Sequence, residues 1–158
     1  EVFALRSDME HMRYIAKPLM KKMEDAEAHI KLIQDGIEKN EMINWGISIK
    51  DQPALIGIIG FYRINKEHHR SEVGYMLNKS YWRKGIMNEA LGAVLDFGFQ
   101  QLKFHQIEAI IDKENAASEG LLLKHNFVKE AHFKENYFFE GKYLDSVHYG
   151  LLARDWVR

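Results

Sequence analysis

The chain has 158 residues, 46% of them hydrophobic, and its 22 Lys plus Arg nearly balance 23 Asp plus Glu. That length suits one globular domain with a real core, and the charge balance leaves no global basic field to gather nucleic acid, so any anion site must be local. With no cysteine, disulfides, thiolate metal sites and a Cys nucleophile are excluded together; no run approaches the roughly 18 apolar residues of a membrane span and no leader pattern opens the chain, so a cytoplasmic location is expected.

Apolar residues at three- and four-residue steps (Phe3, Leu5, Met9, Met12, Ile15) predict an amphipathic helix over 2–16, broken at Pro18. Ala26, Ile30, Ile33 and Ile37 predict a second over 23–37. Residues 43–49 read as a strand, Asp51-Gln52-Pro53 as a turn and 54–64 as its hairpin partner. A third strand over 72–77 completes a meander. Residues 88–102 carry the pattern of a largely buried helix. Beyond it come a strand over 106–111, a short helix over 115–124, a strand over 127–131 and a last strand over 142–152. Antiparallel runs followed by β-α-β units predict a mixed sheet with helices on both faces.

One junction suits an anion. Arg83-Lys84-Gly85-Ile86-Met87-Asn88 is a glycine turn between a strand and a helix, where the first helical N–H groups have no intrahelical partner. Gly85 lets the backbone approach a pyrophosphate, and Arg83 and Lys84 add charge. An ordinary helix start has the same appearance, and the G-x-x-x-x-G-K-[ST] phosphate loop is absent.

The segments flanking this turn carry a resemblance. Glu72-x-Gly74-Tyr75-x-Leu77, Tyr81-Trp82-x-Lys84-Gly85-x-x-x-Glu89-Ala90-Leu91, Asn115-Ala116-Ala117-Ser118 with Lys124-His125-Asn126-Phe127, and Asp145-Ser146-Val147-x-Tyr149-x-Leu151 follow one another along nearly the whole chain. In this they resemble the GNAT superfamily of N-acetyltransferases, in particular its RimJ/RimL-like branch of ribosomal-protein-alanine N-acetyltransferases. The departures are Arg83, where Gly is usual, Met87, where Gly or Ala is usual, and Asn126, where Gly is usual. Asn is the next best residue at such a left-handed helix end.

The resemblance implies a single-domain α/β (α+β) GNAT fold over 1–158, with a mixed, mostly antiparallel sheet whose first strand would lie upstream of Glu1. It implies transfer of an acetyl group from acetyl-CoA to a primary amine by direct attack in a ternary complex. The acceptor would be a protein N-terminal α-amine or a small amine such as a polyamine. Met76, Leu77 and Asn78 would face the pantetheine arm, Arg83, Lys84, Gly85, Ile86, Met87 and Asn88 the pyrophosphate, and Asn115 and Lys124 the remainder of the cofactor. Ser118 would donate to the leaving sulfur.

Glu72, on the same strand face as Gly74 and Met76, is the candidate base; a plain ion pair with Arg63 or Arg70 is its alternative. His68 and His69 are further candidates for proton transfer, and Tyr137, Tyr143 and Tyr149 for the acid. No metal is expected, since the histidines are scattered without a ligand-spaced pair, and no G-x-S-x-G elbow supports a Ser-His-Asp triad. Glu135, Glu140 and Asp145 would favour a cationic acceptor. Phe138, Phe139 and Tyr143 would serve either a homodimer contact or the core. The other function class is a non-catalytic acyl-CoA-binding sensor; a gap between the strands ending at Leu77 and starting at Gln106 would separate both readings from a purely structural domain.

Overall fold

The computed structural model describes residues 1–157. In chain order they form α1 (Val2–Ser7), α2 (Met9–Met12), α3 (Met23–Glu38), β1 (Ile43–Ile49), β2 (Gln52–Asn65), β3 (Arg70–Leu77), α4 (Ile86–Gln100), β4 (Gln106–Ile111), α5 (Ala116–Lys124), β5 (Val128–Phe139) and β6 (Lys142–Leu152). Short 3-10 turns follow β3 and β6. One six-stranded sheet has the order β1-β2-β3-β4-β6-β5, and β3–β4 is its parallel pair.

Alternation along β3 feeds two faces. Val73 and Leu77 join the main core with Leu91 and Leu95 of α4, Ile107 of β4 and Leu122 of α5, whereas Met76 packs on the opposite face with Leu5 and Met12. Phe61 is fully buried beneath α4, an interaction of about 1.5–3 kcal/mol relative to exposure. A Cβ on Gly98 would stand 2.6 Å from the Phe61 ring, so the missing side chain sets how closely α4 approaches the sheet.

Several boundaries differ from the sequence reading. The helix expected over 2–16 is two short helices, because the Asp8 carboxylate accepts from the Glu10 and His11 N–H groups (2.8 and 3.2 Å) and caps a fresh start with extended backbone. Its periodicity still buries Leu5 and Met12. Helix α4 begins two residues earlier than expected, directly after Gly85. The strand expected over 127–131 runs to Phe139; the register shifts between Phe133 and Tyr137, so the polar run Lys134-Glu135-Asn136 that interrupts the alternation becomes a bulge. Asp145 holds this bulge by accepting from the Glu135 N–H (2.9 Å).

Helix α5 ends as its sequence predicts. Asn126 has φ 64°, the Asn126 N–H donates to the Leu123 carbonyl (3.1 Å), and the Phe127 N–H donates to the Leu122 carbonyl (3.1 Å). Buried Leu122 and Phe127 sit at the two ends of that second bond. Glycine relieves the residual left-handed strain, so Asn126→Gly is expected to stabilise by up to about 1 kcal/mol and raise Tm by about 1–4 °C. Asn126→Val should lower it; calorimetry showing the reverse order would refute this account of the helix end.

Candidate active site

Strands β3 and β4 pair only from Arg70 to Glu72 against Gln106 to Glu108. Beyond Glu72, β3 continues to Leu77 beside β2 alone, and β4 continues to Ile111 beside β6 alone. The sheet therefore splits. The Asn78 N–H donates to the Ile56 carbonyl (2.8 Å), which fixes the ladder phase: Met76 and Asn78 turn their backbone groups toward β2, while Tyr75 and Leu77 turn theirs into the split. Of the three positions expected along the pantetheine, only Leu77 points that way by its backbone, and Tyr75 joins it.

The turn at the mouth of the split follows from two left-handed residues, Arg83 (φ 58°) and Gly85 (φ 79°). The first explains why glycine suits that position, which Arg83 fills here with some strain. Gly85 caps the 15-residue helix α4, and a Cβ there would meet open space. The Ile86, Met87 and Asn88 N–H groups precede the first intrahelical bond, from the Glu89 N–H to the Gly85 carbonyl (3.0 Å). Arg83 and Lys84 are exposed at the rim, with Lys84 over the Tyr81 ring. The buried Asn88 Oδ1 has no hydrogen-bond partner, an acceptor suited to an amide N–H. Open space at Gly85, free helix amides and this orphan acceptor fit a ligand with a phosphate and an amide-bearing arm.

The Trp82 indole N–H donates to the Leu77 carbonyl (2.7 Å) and closes the upper end of the split. Across it, Tyr75 Oη and Ser118 Oγ are 2.6 Å apart. Ser118 is buried, and burial pushes the Tyr75 phenol up to about 12 despite the Ser118 bond. Asn115 caps α5 by accepting from the Ser118 N–H (3.1 Å), which fixes the backbone that carries that hydroxyl. At the other end of α5, His125 packs by Gly92 and reaches the Asn88 backbone, and Lys124 beside it is exposed.

Glu72 stands where β3 and β4 part. It accepts from Arg63 Nη1 (2.7 Å) and faces Glu108 across the ladder, which is itself paired with Arg70 (3.0 Å). Its pKa is raised, first by burial, then by Glu108, with Arg63 opposing. His68 and His69 lie on the turn before β3, below the paired end of the split. Tyr149 donates to Glu119, which with burial pushes its pKa up to about 12, and Tyr143 is exposed on the hairpin. Asp145 is taken by Lys113, His132 and the bulge, and these partners hold its carboxyl well below the usual range. Sequence reading missed the roles of Tyr75 and Trp82. Both stand inside the matched motifs, yet their patterning is that of core aromatics.

Among the described residues, no group of three His, Asp or Glu is arranged to hold a metal, and no helix is long and apolar enough to cross a membrane.

A split sheet with a glycine-led helix N-terminus at its mouth defines a class of acyl-transfer folds, and comparison with known proteins agrees. Residues 1–128 match the acetyltransferase (GNAT) domain, and the chain belongs to that family of N-acetyltransferases. An uncharacterised N-acetyltransferase of Bacillus subtilis, YoaA, is 32% identical over 151 residues, covering 96% of this chain and 85% of the relative. The ribosomal protein uS5-alanine N-acetyltransferase of Escherichia coli is 26% identical, covering 83% and 68%. Among solved structures, a GNAT acetyltransferase from Bacillus anthracis superimposes with a TM-score of 0.84 at 28% identity, covering 97% of this chain and 87% of that one. The spermidine N-acetyltransferase of Vibrio cholerae, solved with CoA and spermine, shares the fold with a TM-score of 0.87 at 22% identity, covering 99% and 90%.

The cradle makes a test available. Gly85→Ala puts a Cβ into the open space and forces it left-handed, so CoA affinity should fall about tenfold while stability drops by roughly 1–2 kcal/mol. Unchanged CoA binding by calorimetry would remove Gly85 from the site.

Proposed function

We propose that the protein binds acetyl-CoA in the split between β3 and β4 and passes its acetyl group to a primary amine by direct attack in a ternary complex. The observation that carries this reading is the parting of the strands beyond Glu72, beside the unpartnered amides of residues 86–88. Acetyl-CoA, when bound, supplies the activated acetyl group as a thioester. The amides of Ile86, Met87 and Asn88, with Arg83 and Lys84, hold the pyrophosphate, and Lys124 adds charge from the adjoining helix end. The backbone of Tyr75 and Leu77 lines the pantetheine arm, the Leu77 N–H polarising the carbonyl, and Asn88 Oδ1 accepts from an arm amide.

The amine nitrogen forms the new bond to the acetyl carbon as the carbon–sulfur bond breaks. Glu72 takes the proton released by the amine, through water. Ser118, its backbone held by Asn115 and its hydroxyl by Tyr75, gives a proton to the sulfur and is resupplied from the Tyr75 hydroxyl, which regains a proton from solvent. The acceptor is a small amine or a protein N-terminal α-amine. A second copy of the chain is the partner we assign to the β5 edge, where Val128, Phe133 and Phe138, with Tyr143 of β6, stay exposed; an elution volume of a monomer at micromolar concentration would remove that assignment.

Free-thiol release from acetyl-CoA over a panel of amines and N-terminal peptides tests the activity. CoA binding without release for any acceptor would favour a non-catalytic sensor. With a working acceptor, Glu72→Gln should lower kcat about 10²-fold or more with little change in CoA affinity. Because the base works ionised, kcat/KM should rise with pH through the raised Glu72 pKa. Arg63→Met, which removes the group opposing the shift, should move that limb to higher pH, and Glu108→Gln should move it lower. A limb unmoved by either change would exclude Glu72 as the base.

A further inference from the structure

Between the N-terminal segment and α3 lies a surface cavity of about 520 Å³, lined in part by Arg6, Lys17, Leu19, Lys21, Asp25 and His29. That size suits a small ligand. Its charge is one-sided. The single carboxylate of the lining, Asp25, already accepts from the Lys21 and Lys22 N–H groups (2.8 and 3.2 Å) at the start of α3.

Arg6 is the informative residue. Its side chain is largely desolvated, and burial holds its pKa below the usual value. Among the described residues no Asp or Glu forms an ion pair with it. Its electrostatic neighbours are the neutral phenol of Tyr62, which accepts from Asn44, and His29, whose pKa it helps to lower. The Arg6 carbonyl accepts from the Met20 N–H (3.0 Å), which ties α1 to the cavity wall. A desolvated guanidinium without a counter-charge is unfavourable in the free protein, and its planar fork matches an oxyanion.

Through Tyr62, Arg6 also neighbours the strand that carries Glu72. Tyr62 is the cross-strand partner of Glu72, and its ring stands 3.0 Å from where a Gly74 Cβ would be. Arg6 thus lies over the sheet face that carries Glu72, near the point where β3 and β4 part.

We propose that this cavity binds an oxyanion, carboxylate or phosphate, carried on the acceptor amine, with Arg6 as its counter-ion. The proposal rests on the reading of the chain as an amine acetyltransferase and selects among acceptors: an amine bearing an acidic group is favoured, and a polycationic amine is repelled by Arg6, Lys17 and Lys21.

The test compares matched pairs on the full chain: amino acids against their amides, phosphoethanolamine against ethanolamine, and spermidine alone. Thermal shift reads binding, and thiol release from acetyl-CoA reads turnover. In the wild type, the acidic member of at least one pair should raise Tm more and show kcat/KM at least about tenfold above its neutral partner, and the responding pair tells carboxylate from phosphate. Arg6→Gln should abolish both advantages while leaving the thermal shift by CoA intact, and Arg6→Lys should keep part of them. Without ligand, Arg6→Gln should fold with Tm unchanged or higher, because an unpaired desolvated cation is removed. Equal or better use of neutral partners or spermidine, no response to any acidic member, or an advantage that survives Arg6→Gln would each overturn the proposal. Oxyanion binding that depends on Arg6, with no turnover of any amine, would instead fail the acetyltransfer reading and leave the oxyanion site standing.

Discussion

Hydrogen bonding between β3 and β4 stops after Glu72 and Glu108, and most of the functional geometry follows from that interruption. Backbone N–H and C=O groups inside a sheet ordinarily find partners, because burying them unpaired costs about 1–3 kcal/mol each. Here the edge of β3 from Val73 to Leu77 is left facing a gap in the middle of the sheet. The chain satisfies part of that edge with its own groups, the Trp82 indole taking the Leu77 carbonyl. What remains is a short run of unpaired backbone that an amide-bearing ligand can complete much as a strand would.

The elements that hold the gap open are those that bring in the chemistry. A parallel β3–β4 pair requires a crossover, and α4 supplies it, seated closely on Phe61 and Ile107 because Gly98 has no side chain. The N-terminus of the same helix arrives at the mouth of the split, so the crossover is what places the free amides of residues 86–88 there. Helix α5 follows β4 on the far side and returns Ser118 to Tyr75 across the gap. Lys79 links Asp8 and Glu10 to the turn after β3 (3.2 and 2.7 Å), and the His11 imidazole accepts from the Lys79 N–H (2.9 Å). The N-terminal helices are thereby fastened to the end of β3.

Much of this was legible in the residues. Alternation in β3, the glycine before α4, the Asn at the end of α5 and the hydrophobic stripe of α4 each report a local preference that tertiary packing reinforces. Where local and tertiary signals disagree, the reading failed. Asp8 lies within an unbroken apolar periodicity, yet its carboxylate competes for N–H groups and restarts the helix. The run Lys134-Glu135-Asn136 interrupts the pattern of β5, and only the Asp145 carboxylate on the neighbouring strand makes a bulge preferable to an end. Tyr75 and Tyr149 have the same pattern in sequence, and nothing local tells that the first meets a serine across a gap while the second meets Glu119. Ion pairing is equally nonlocal: the Glu72 carboxylate pairs with Arg63, as the ion-pair reading expected, and its pKa is still raised by burial, which leaves the proposed base role open to it.

The same logic distinguishes charges that stabilise the fold from charges held for a ligand. Asp145, Glu108 and Asp8 each have a cationic partner in place. Arg83 and Arg6 differ. Arg83 occupies a left-handed position where glycine would be easier, and Arg6 is desolvated without an ion-pair partner among the described residues. Neither placement improves the free protein, since one carries backbone strain and the other an unmatched charge. Residues kept at such a cost concentrate where a ligand supplies what is missing. On the two proposals made above, the arginines would stand on the two sides of the chemistry, Arg83 toward the cofactor phosphates and Arg6 toward the acceptor, so that the unmatched positive charge of this nearly neutral chain would serve two anionic ligands converging on one split in the sheet.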